Sequence, residues 1–294
     1  MNWVWGFLAI IILFFGLGVA AAALFRNKRI PHRKTPKAYG IEFEEVHIPA
    51  SDGGRLYGWW IPGKKDKPVL VLVHGWNNNL GRFLPYIRKL NEYGYNLLAF
   101  DARGHGHSSD LKYPTVWTFT EDTLAAARFL KDNQLASDNP IGVIGHSIGG
   151  GAAINAGAED PAIQTVISIG GFAHPIAIMK ADLKARHIPY FPFAWLFFAY
   201  YHIVHGIDFD RIAPVSNIPL VNGKILLVHG SKDTQVPLSQ AKELEKAANP
   251  GKTRLWILDE YGHNDCHQHP EFWQAITAFI DQNMKNGNEF KQTQ

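Results

Sequence analysis

The chain has 294 residues, of which 46% are hydrophobic, and it carries a formal net charge of +3 and a single cysteine, Cys266. One cysteine excludes an intramolecular disulfide, which is typical of a protein from a reducing compartment. Six of the 29 basic residues lie between 26 and 37, so the rest of the chain has 23 basic and 26 acidic side chains. The positive charge is therefore local, and it does not indicate a nucleic-acid-binding surface.

Residues 1–25 predict a transmembrane helix. Trp3 to Phe25 contains no charged side chain, and at about 1.5 Å per residue such a helix spans the roughly 30 Å core of a bilayer. The basic, proline-containing segment 26–39 predicts a juxtamembrane linker, with its charge and the following domain on the cytoplasmic side. A cleaved signal peptide is the alternative, because Ala20 to Ala23 offers small residues to a peptidase.

Strands and helices alternate after the linker, which predicts an α/β fold with a mostly parallel eight-stranded sheet covered on both faces. The first two strands are expected to form an antiparallel pair around the turn residues 51–54. One domain is expected over 40–285, followed by a polar tail over 286–294. The predicted strands are 41–49, 55–61, 69–74, 95–101, 141–145, 165–169, 224–229 and 254–258, and the predicted helices are 79–92, 119–134, 148–158, 238–247 and 270–284.

A serine flanked by glycines lies between a predicted strand and a predicted helix, in the run Gly145-His146-Ser147-Ile148-Gly149. A Gly-x-Ser-x-Gly run in that position predicts a nucleophile elbow, a tight turn that projects the serine hydroxyl above the sheet. The run alone arises by chance in about one such sequence in ten, so the prediction must be supported by suitable partner residues elsewhere in the chain.

The partner residues occur in the expected order. Asp233 follows the strand predicted at 224–229, and His263 follows the strand at 254–258. Both therefore lie beyond the carboxyl ends of strands, where open α/β sheets bind their ligands. In such a triad His263 removes the proton of Ser147, while Asp233 orients the imidazole and stabilises its charged form.

On these residues the chain resembles α/β-hydrolases of the serine esterase and lipase type. A further similarity lies in Val71-Leu72-Val73-His74-Gly75-Trp76, which resembles the family's strand followed by His-Gly. That resemblance implies an oxyanion hole made by the backbone N–H groups of Trp76 and Ile148. It also implies that the reaction needs no cofactor and no metal.

Two further runs carry the resemblance, which covers about residues 40 to 285. Residues 100–108 resemble the family's loop after the next strand. Gly81-Arg82-Phe83 is similar to the branch that includes monoacylglycerol lipases and serine aminopeptidases. The resemblance indicates fold and reaction class, and it does not indicate the substrate.

A cap insertion is predicted over about 172–217, because the connection between the strands at 165–169 and 224–229 is too long for a simple crossover. Two interpretations of its aromatic residues stay open: a lid that binds acyl chains, and ordinary packing of the cap onto the helices below it. Eight aromatic residues occur within twelve positions: Tyr190, Phe191, Phe193, Trp195, Phe197, Phe198, Tyr200 and Tyr201.

Two clusters contain metal-ligand residue types, but neither has a recognised ligand spacing. The first surrounds the predicted triad histidine, and the second lies at the end of the cap. They consist of His263, Asp265, Cys266, His267 and His269, and of His202, His205, Asp208 and Asp210.

The sequence therefore predicts a membrane-anchored serine hydrolase that cleaves carboxylic esters or thioesters, with Ser147, His263 and Asp233 as its triad. A lipophilic acyl substrate is expected, such as a monoglyceride, a lysolipid or an acylated protein, because a membrane tether concentrates the enzyme near such molecules. A peptidase or amidase on the same fold and a non-catalytic scaffold are the alternatives. The oligomeric state stays open.

Overall fold

A computed structural model describes residues 2–24, 27–136, 139–185, 187 and 189–284, without the side chains at 2, 9, 10, 20–24 and 193. The polar tail predicted over 286–294 lies outside the described residues. The described part of the chain forms an eight-stranded sheet. Its strands are β1 (Glu44–Pro49), β2 (Arg55–Ile61), β3 (Val69–Val73), β4 (Asn96–Phe100), β5 (Ile141–His146), β6 (Ile163–Ile169), β7 (Lys224–Gly230) and β8 (Thr253–Leu258).

The sheet has the order β1-β2-β4-β3-β5-β6-β7-β8. β2 pairs antiparallel with β1 and with β4, and every pair from β4 to β8 is parallel. This arrangement confirms the predicted α/β-hydrolase sheet. The central strand β3 consists of Val and Leu alone and is buried along its length, as expected for a parallel strand covered on both faces.

The helices cover the two faces of the sheet and form two apolar cores. Leu130 of α3 and Ile154 of α4 pack in one core, and Ile87 of α2 and Phe272 of α9 pack in the other. The helices are α1 (Asn2–Leu24), α2 (Leu84–Glu92), α3 (Val116–Asp132), α4 (Ile148–Glu159), α5 (Pro175–Ala185), α6 (Trp195–His205), α7 (Pro214–Asn217), α8 (Leu238–Ala247) and α9 (Phe272–Asn283).

The transmembrane helix predicted over 1–25 is not confirmed. Residues 1 and 25 lie outside the described residues, and within the described residues no helix is long and apolar enough to cross a membrane. Phe15 and Gly18 of α1 pack on the cap: the ring centroids of Phe15 and Tyr200 are 6.3 Å apart, and Gly18 lies against the Tyr200 ring.

The cap insertion contains α5, α6 and α7 between β6 and β7. Its aromatic residues divide into two sets. Phe197, Phe198, Tyr200 and Tyr201 are buried in a cluster of their own, whereas Phe191 and Trp195 are 70% and 49% exposed. The packing interpretation therefore applies to these four rings, whereas Phe191 and Trp195 face solvent.

Candidate active site

Ser147 lies in a strained turn between β5 and α4. Its φ of 58° and ψ of −122° are rare for a residue with a side chain, so the surrounding structure must hold them. A Cβ atom at Gly145 would collide with the Gly149 carbonyl oxygen, and one at Gly149 would collide with the Val73 carbonyl oxygen. Glycine is therefore required on both sides, and the serine side chain remains partly accessible.

Asp233 and His263 form a buried hydrogen bond. The Nδ1–H of His263 donates to Oδ2 of Asp233 at 2.7 Å, and each residue is 8% exposed. The other carboxylate oxygen accepts from the backbone N–H groups of Gln235 and Val236 at 2.9 and 2.8 Å. These bonds fix the carboxylate, and they place the proton of a neutral His263 ring on Nδ1, which leaves Nε2 as a proton acceptor.

The charge state of Asp233 follows from the same contacts. Burial by itself raises the pKa of this carboxyl, but the hydrogen bond from His263 and the nearby His263 and His229 rings outweigh burial. The net pKa therefore lies below the ordinary value of 3.8, and Asp233 is ionised at neutral pH. An ionised carboxylate beside Nδ1 stabilises a positive charge that develops on the imidazole.

His146 holds the loop of His263 beside the serine turn. Its Nε2–H donates to the His263 carbonyl oxygen at 2.8 Å, and the two ring centroids are 4.8 Å apart. Burial lowers the pKa of His146 to about 3, so this ring is neutral at physiological pH. Because His146 precedes Ser147 in the chain, the bond keeps His263 next to the turn. The sequence did not single out this contact.

Gly170 also lies against the His263 ring. It follows β6 with a φ of +60°, and a Cβ atom here would lie 3.1 Å from Nδ1 of His263 and 3.5 Å from Oδ2 of Asp233. The turn needs glycine both for its backbone conformation and for space. Sequence analysis missed this residue, although a glycine directly after a buried strand was the available signal.

The two predicted oxyanion donors, the backbone N–H groups of Trp76 and Ile148, belong to segments that lie beside the serine turn. Ile148 begins α4, so its N–H is among those at the helix start that have no partner within the helix. Trp76 follows Gly75, where a Cβ atom would lie 3.2 Å from the Cβ atom of Ser147. The structure therefore brings the loop after β3 against the serine turn, and the predicted oxyanion donors come from these two segments.

The two clusters of metal-ligand residue types engage other groups. Among the described residues, no group of three or more His, Cys, Asp and Glu side chains is arranged to hold a metal ion. Nδ1 of His202 contacts the Ile207 carbonyl oxygen at 3.1 Å, and Asp210 accepts from His174 at 2.9 Å. Burial raises the pKa of the Cys266 thiol to about 12, which keeps this thiol protonated and unreactive.

Comparisons with known proteins point to hydrolases. Residues 64–195 match the family model described as "Serine aminopeptidase, S33". The uncharacterized protein YfhR of Escherichia coli O157:H7 is 29% identical over 241 residues, which is 78% of each chain. The lysophosphatidylserine lipase ABHD12 of Xenopus tropicalis is 27% identical over 234 residues, which is 72% of this chain and 57% of that protein.

A solved hydrolase structure is also similar to this chain. The esterase Pf2001 of Pyrococcus furiosus matches with a TM-score of 0.71 and 26% sequence identity, over 88% of this chain and 97% of the esterase. The chain has the α/β-hydrolase fold. Together the family model, the relatives and this esterase support a place in the α/β-hydrolase superfamily, among hydrolases related to esterases and lipases.

Proposed function

We propose that the protein is a serine hydrolase that cleaves carboxylic esters or thioesters through an acyl-enzyme. The observation that carries the proposal is the hydrogen bond of 2.7 Å between buried Asp233 and His263, beside a serine held at positive φ. A buried acid that orients a histidine next to a strained, accessible serine is the arrangement that activates a serine nucleophile.

The mechanism follows from the roles of these groups. Nε2 of His263 takes the proton from Ser147 as Oγ attacks the acyl carbonyl carbon, and the N–H groups of Trp76 and Ile148 stabilise the oxyanion. His263 then gives its proton to the departing alcohol or thiol. Water, activated by the same Nε2, hydrolyses the acyl-enzyme and restores Ser147. Asp233 remains ionised throughout and stabilises the imidazolium.

A lipophilic acyl substrate fits the cap. The exposed rings of Phe191 and Trp195 offer apolar surface on the cap insertion, and a lipase and an esterase are among the similar proteins. The two rings lie beside each other, with centroids 6.1 Å apart, so they form a joint apolar surface that an acyl chain can cover. The proposal is therefore an ester or thioester with an acyl chain long enough to contact these rings.

We also propose attachment to a membrane through the amino-terminal segment, with the hydrolase on the cytoplasmic side. The support is the sequence: residues 3–25 carry no charge, and six basic residues follow between 26 and 37. Full-length protein should stay with membranes after an alkaline carbonate wash, and protein without residues 2–24 should be released. Release of the full-length protein would contradict attachment.

The test of the reaction is hydrolysis of p-nitrophenyl esters with short to long acyl chains, with Ser147→Ala beside the wild type. The proposal predicts turnover that increases toward medium or long chains and falls at least about a thousandfold in the variant. Turnover that does not depend on Ser147 would overturn it.

A peptidase or amidase is the second candidate function. The observation that favours it is the family match over 64–195, whose description names a serine aminopeptidase. The same triad serves both reactions, so aminoacyl and peptidyl p-nitroanilides should be tested in parallel. A preference for anilides over esters in kcat/KM would favour this candidate.

A further inference from the structure

The segment directly after α1 is bound to the hydrolase domain. This segment, residues 27–32, is here called the strap. Its first contacts are with the β4 loop, residues 101–110. Nδ2 of Asn27 donates to the Gly104 carbonyl oxygen at 2.6 Å, and the Arg29 guanidinium donates to the Ser108 carbonyl oxygen at 2.9 Å. The sequence predicted only a linker here, but the described strap lies along the carboxyl edge of the sheet.

The strap also binds the β3 loop, residues 74–80, which contains Trp76. The backbone N–H of Lys28 donates to Oδ1 of Asn77 at 2.6 Å. Nδ2 of Asn79 donates to the carbonyl oxygen of Ile30 at 2.9 Å. Two residues of the loop, one and three positions after Trp76, are therefore hydrogen-bonded to the strap. Asn77 has a φ of 52°, a left-handed conformation that asparagine adopts more readily than most residues.

Asp101 gives the strap a third connection to this loop. Its carboxylate is fully buried, and Oδ2 accepts from Nε2–H of His32 at 2.8 Å and from the backbone N–H of His107 at 2.8 Å. Oδ1 accepts from the backbone N–H of Leu80, also at 2.8 Å. One buried carboxylate thus joins His32 to the end of the β3 loop.

The His32 ring is itself packed in place. Its side chain is 6% exposed, and its ring centroid lies 5.4 Å from those of Tyr57 and Trp59 and 4.2 Å from that of His107. Burying a polar ring in this way is favourable only if its hydrogen bond to Asp101 is kept. The hydrogen bond between His32 and Asp101 is therefore part of the buried structure, unlike an ion pair on the protein surface.

We propose that His32 is a positioning residue for the reaction, and that the strap holds the β3 loop so that the Trp76 N–H stays aimed at the oxyanion. This inference rests on the proposed serine-hydrolase function. Oxyanion donors act on charge that develops in the transition state, and a misplaced donor lowers kcat more than it raises KM. The amino-terminal segment thus contributes to catalysis as well as to the location of the enzyme.

The test compares full-length His32→Ala and His32→Gln with the wild type in ester hydrolysis and in amide hydrogen exchange of residues 76–80. We expect kcat of His32→Ala to fall about tenfold with KM within about twofold, and amides 76–80 to exchange about tenfold faster. His32→Gln keeps a donor for Asp101, so its kcat and its rate of amide exchange at residues 76–80 should be close to those of the wild type. A merely structural role would not give this selective loss of kcat with rescue by Gln.

His47→Ala is the matched control, because the His47 ring also contacts Tyr57, at 6.0 Å between ring centroids, but His47 is exposed on β1. It should leave kcat and the exchange of residues 76–80 unchanged. Unchanged kcat and exchange in a folded His32→Ala would overturn the inference. If the wild type hydrolyses no ester, the proposed function fails, and the exchange measurement still decides whether the strap holds the loop.

Loss of His32 removes one of the three hydrogen-bond donors to a buried carboxylate, which threatens folding. If His32→Ala does not fold, the double variant His32→Ala/Asp101→Asn replaces it, because asparagine carries no charge and keeps an oxygen for the Leu80 N–H. Exchange of residues 76–80 as slow as in the wild type would then overturn the inference. Faster exchange supports it.

Discussion

His146 and His263 are 117 positions apart in the chain, yet the ring of the first holds the backbone of the second. Nε2–H of His146 donates to the His263 carbonyl oxygen at 2.8 Å inside the protein. His146 belongs to β5 and immediately precedes Ser147, so the residue next to the proposed nucleophile also sets the position of the proposed base. The relative placement of Ser147 and His263 therefore depends in part on the His146 side chain.

Replacing His146 by Ala should reduce both activity and stability. The His263 carbonyl oxygen would lose its donor, which costs about 1–3 kcal/mol in the free energy of unfolding when the group stays buried. We expect kcat to fall about tenfold because the base moves relative to Ser147. His146→Gln, which carries a donor at a similar reach, is the matched variant, and steady-state kinetics with urea unfolding measure both effects. A normal kcat in His146→Ala would contradict this role.

Asp233→Asn should abolish most of the activity without unfolding the protein. The asparagine oxygen can still accept from the N–H groups of Gln235 and Val236, but it cannot stabilise an imidazolium. We expect kcat to fall about 10⁴-fold, since the ring then prefers the wrong tautomer. Thermal unfolding serves as the control for folding. A loss below about tenfold would show that Asp233 does not orient the base.

Buried histidines should make the fold sensitive to acid. His105 is fully buried, and burial lowers its pKa to about 3 from the ordinary 6.5. Below about pH 6.5 the unfolded chain therefore binds a proton that the folded chain does not, so stability is lost as the pH falls. Between about pH 7.5 and about pH 5, one such group lowers the free energy of unfolding by about 2 kcal/mol.

His105→Asn tests this contribution separately. Asn does not titrate, and its Nδ2 can replace the contact at 3.2 Å between Nδ1 of His105 and the Arg103 carbonyl oxygen. Urea unfolding of the variant should depend less on pH than that of the wild type, by about 2 kcal/mol over the same interval. An identical pH dependence would mean that the pKa of His105 is the same in the folded and the unfolded protein.

The exposed cap rings should matter only for long substrates. Phe191→Ser/Trp195→Ser removes apolar surface that a long acyl chain can cover, and each ring is expected to contribute about 1 kcal/mol, or roughly fivefold in kcat/KM. Esters of acetate should be hydrolysed normally. Tyr93→Ser is the control, because Tyr93 is 44% exposed at the end of α2. An equal loss on acetate and long-chain esters would contradict a role in acyl binding.

The sheet was predictable because its strands are short apolar runs with clear ends. β2 runs from Arg55 to Ile61 as predicted, since turn residues precede it and Pro62 follows it. The first strand begins at Glu44 and not at residue 41, because pairing with Trp60 starts there. Strand limits are set by the partner strand, which the local sequence does not contain.

The candidate site was predictable only where its residues follow strands in a fixed order. Ser147, Asp233 and His263 each follow a strand of the sheet, so chain order and edge position were sufficient to propose them. The supports of the site were not predictable, because the bonds of His146 to His263 and of His32 to Asp101 join positions 117 and 69 residues apart. Such contacts carry no local pattern.

Labelling by a fluorophosphonate shows directly whether Ser147 is an activated nucleophile. We expect one covalent adduct per chain, located by peptide mass spectrometry on Ser147, formed rapidly by the wild type and far more slowly by Asp233→Asn. Ser147→Ala should give no adduct. Absence of labelling in the folded wild type, or labelling on another residue, would contradict the account and would favour a non-catalytic scaffold.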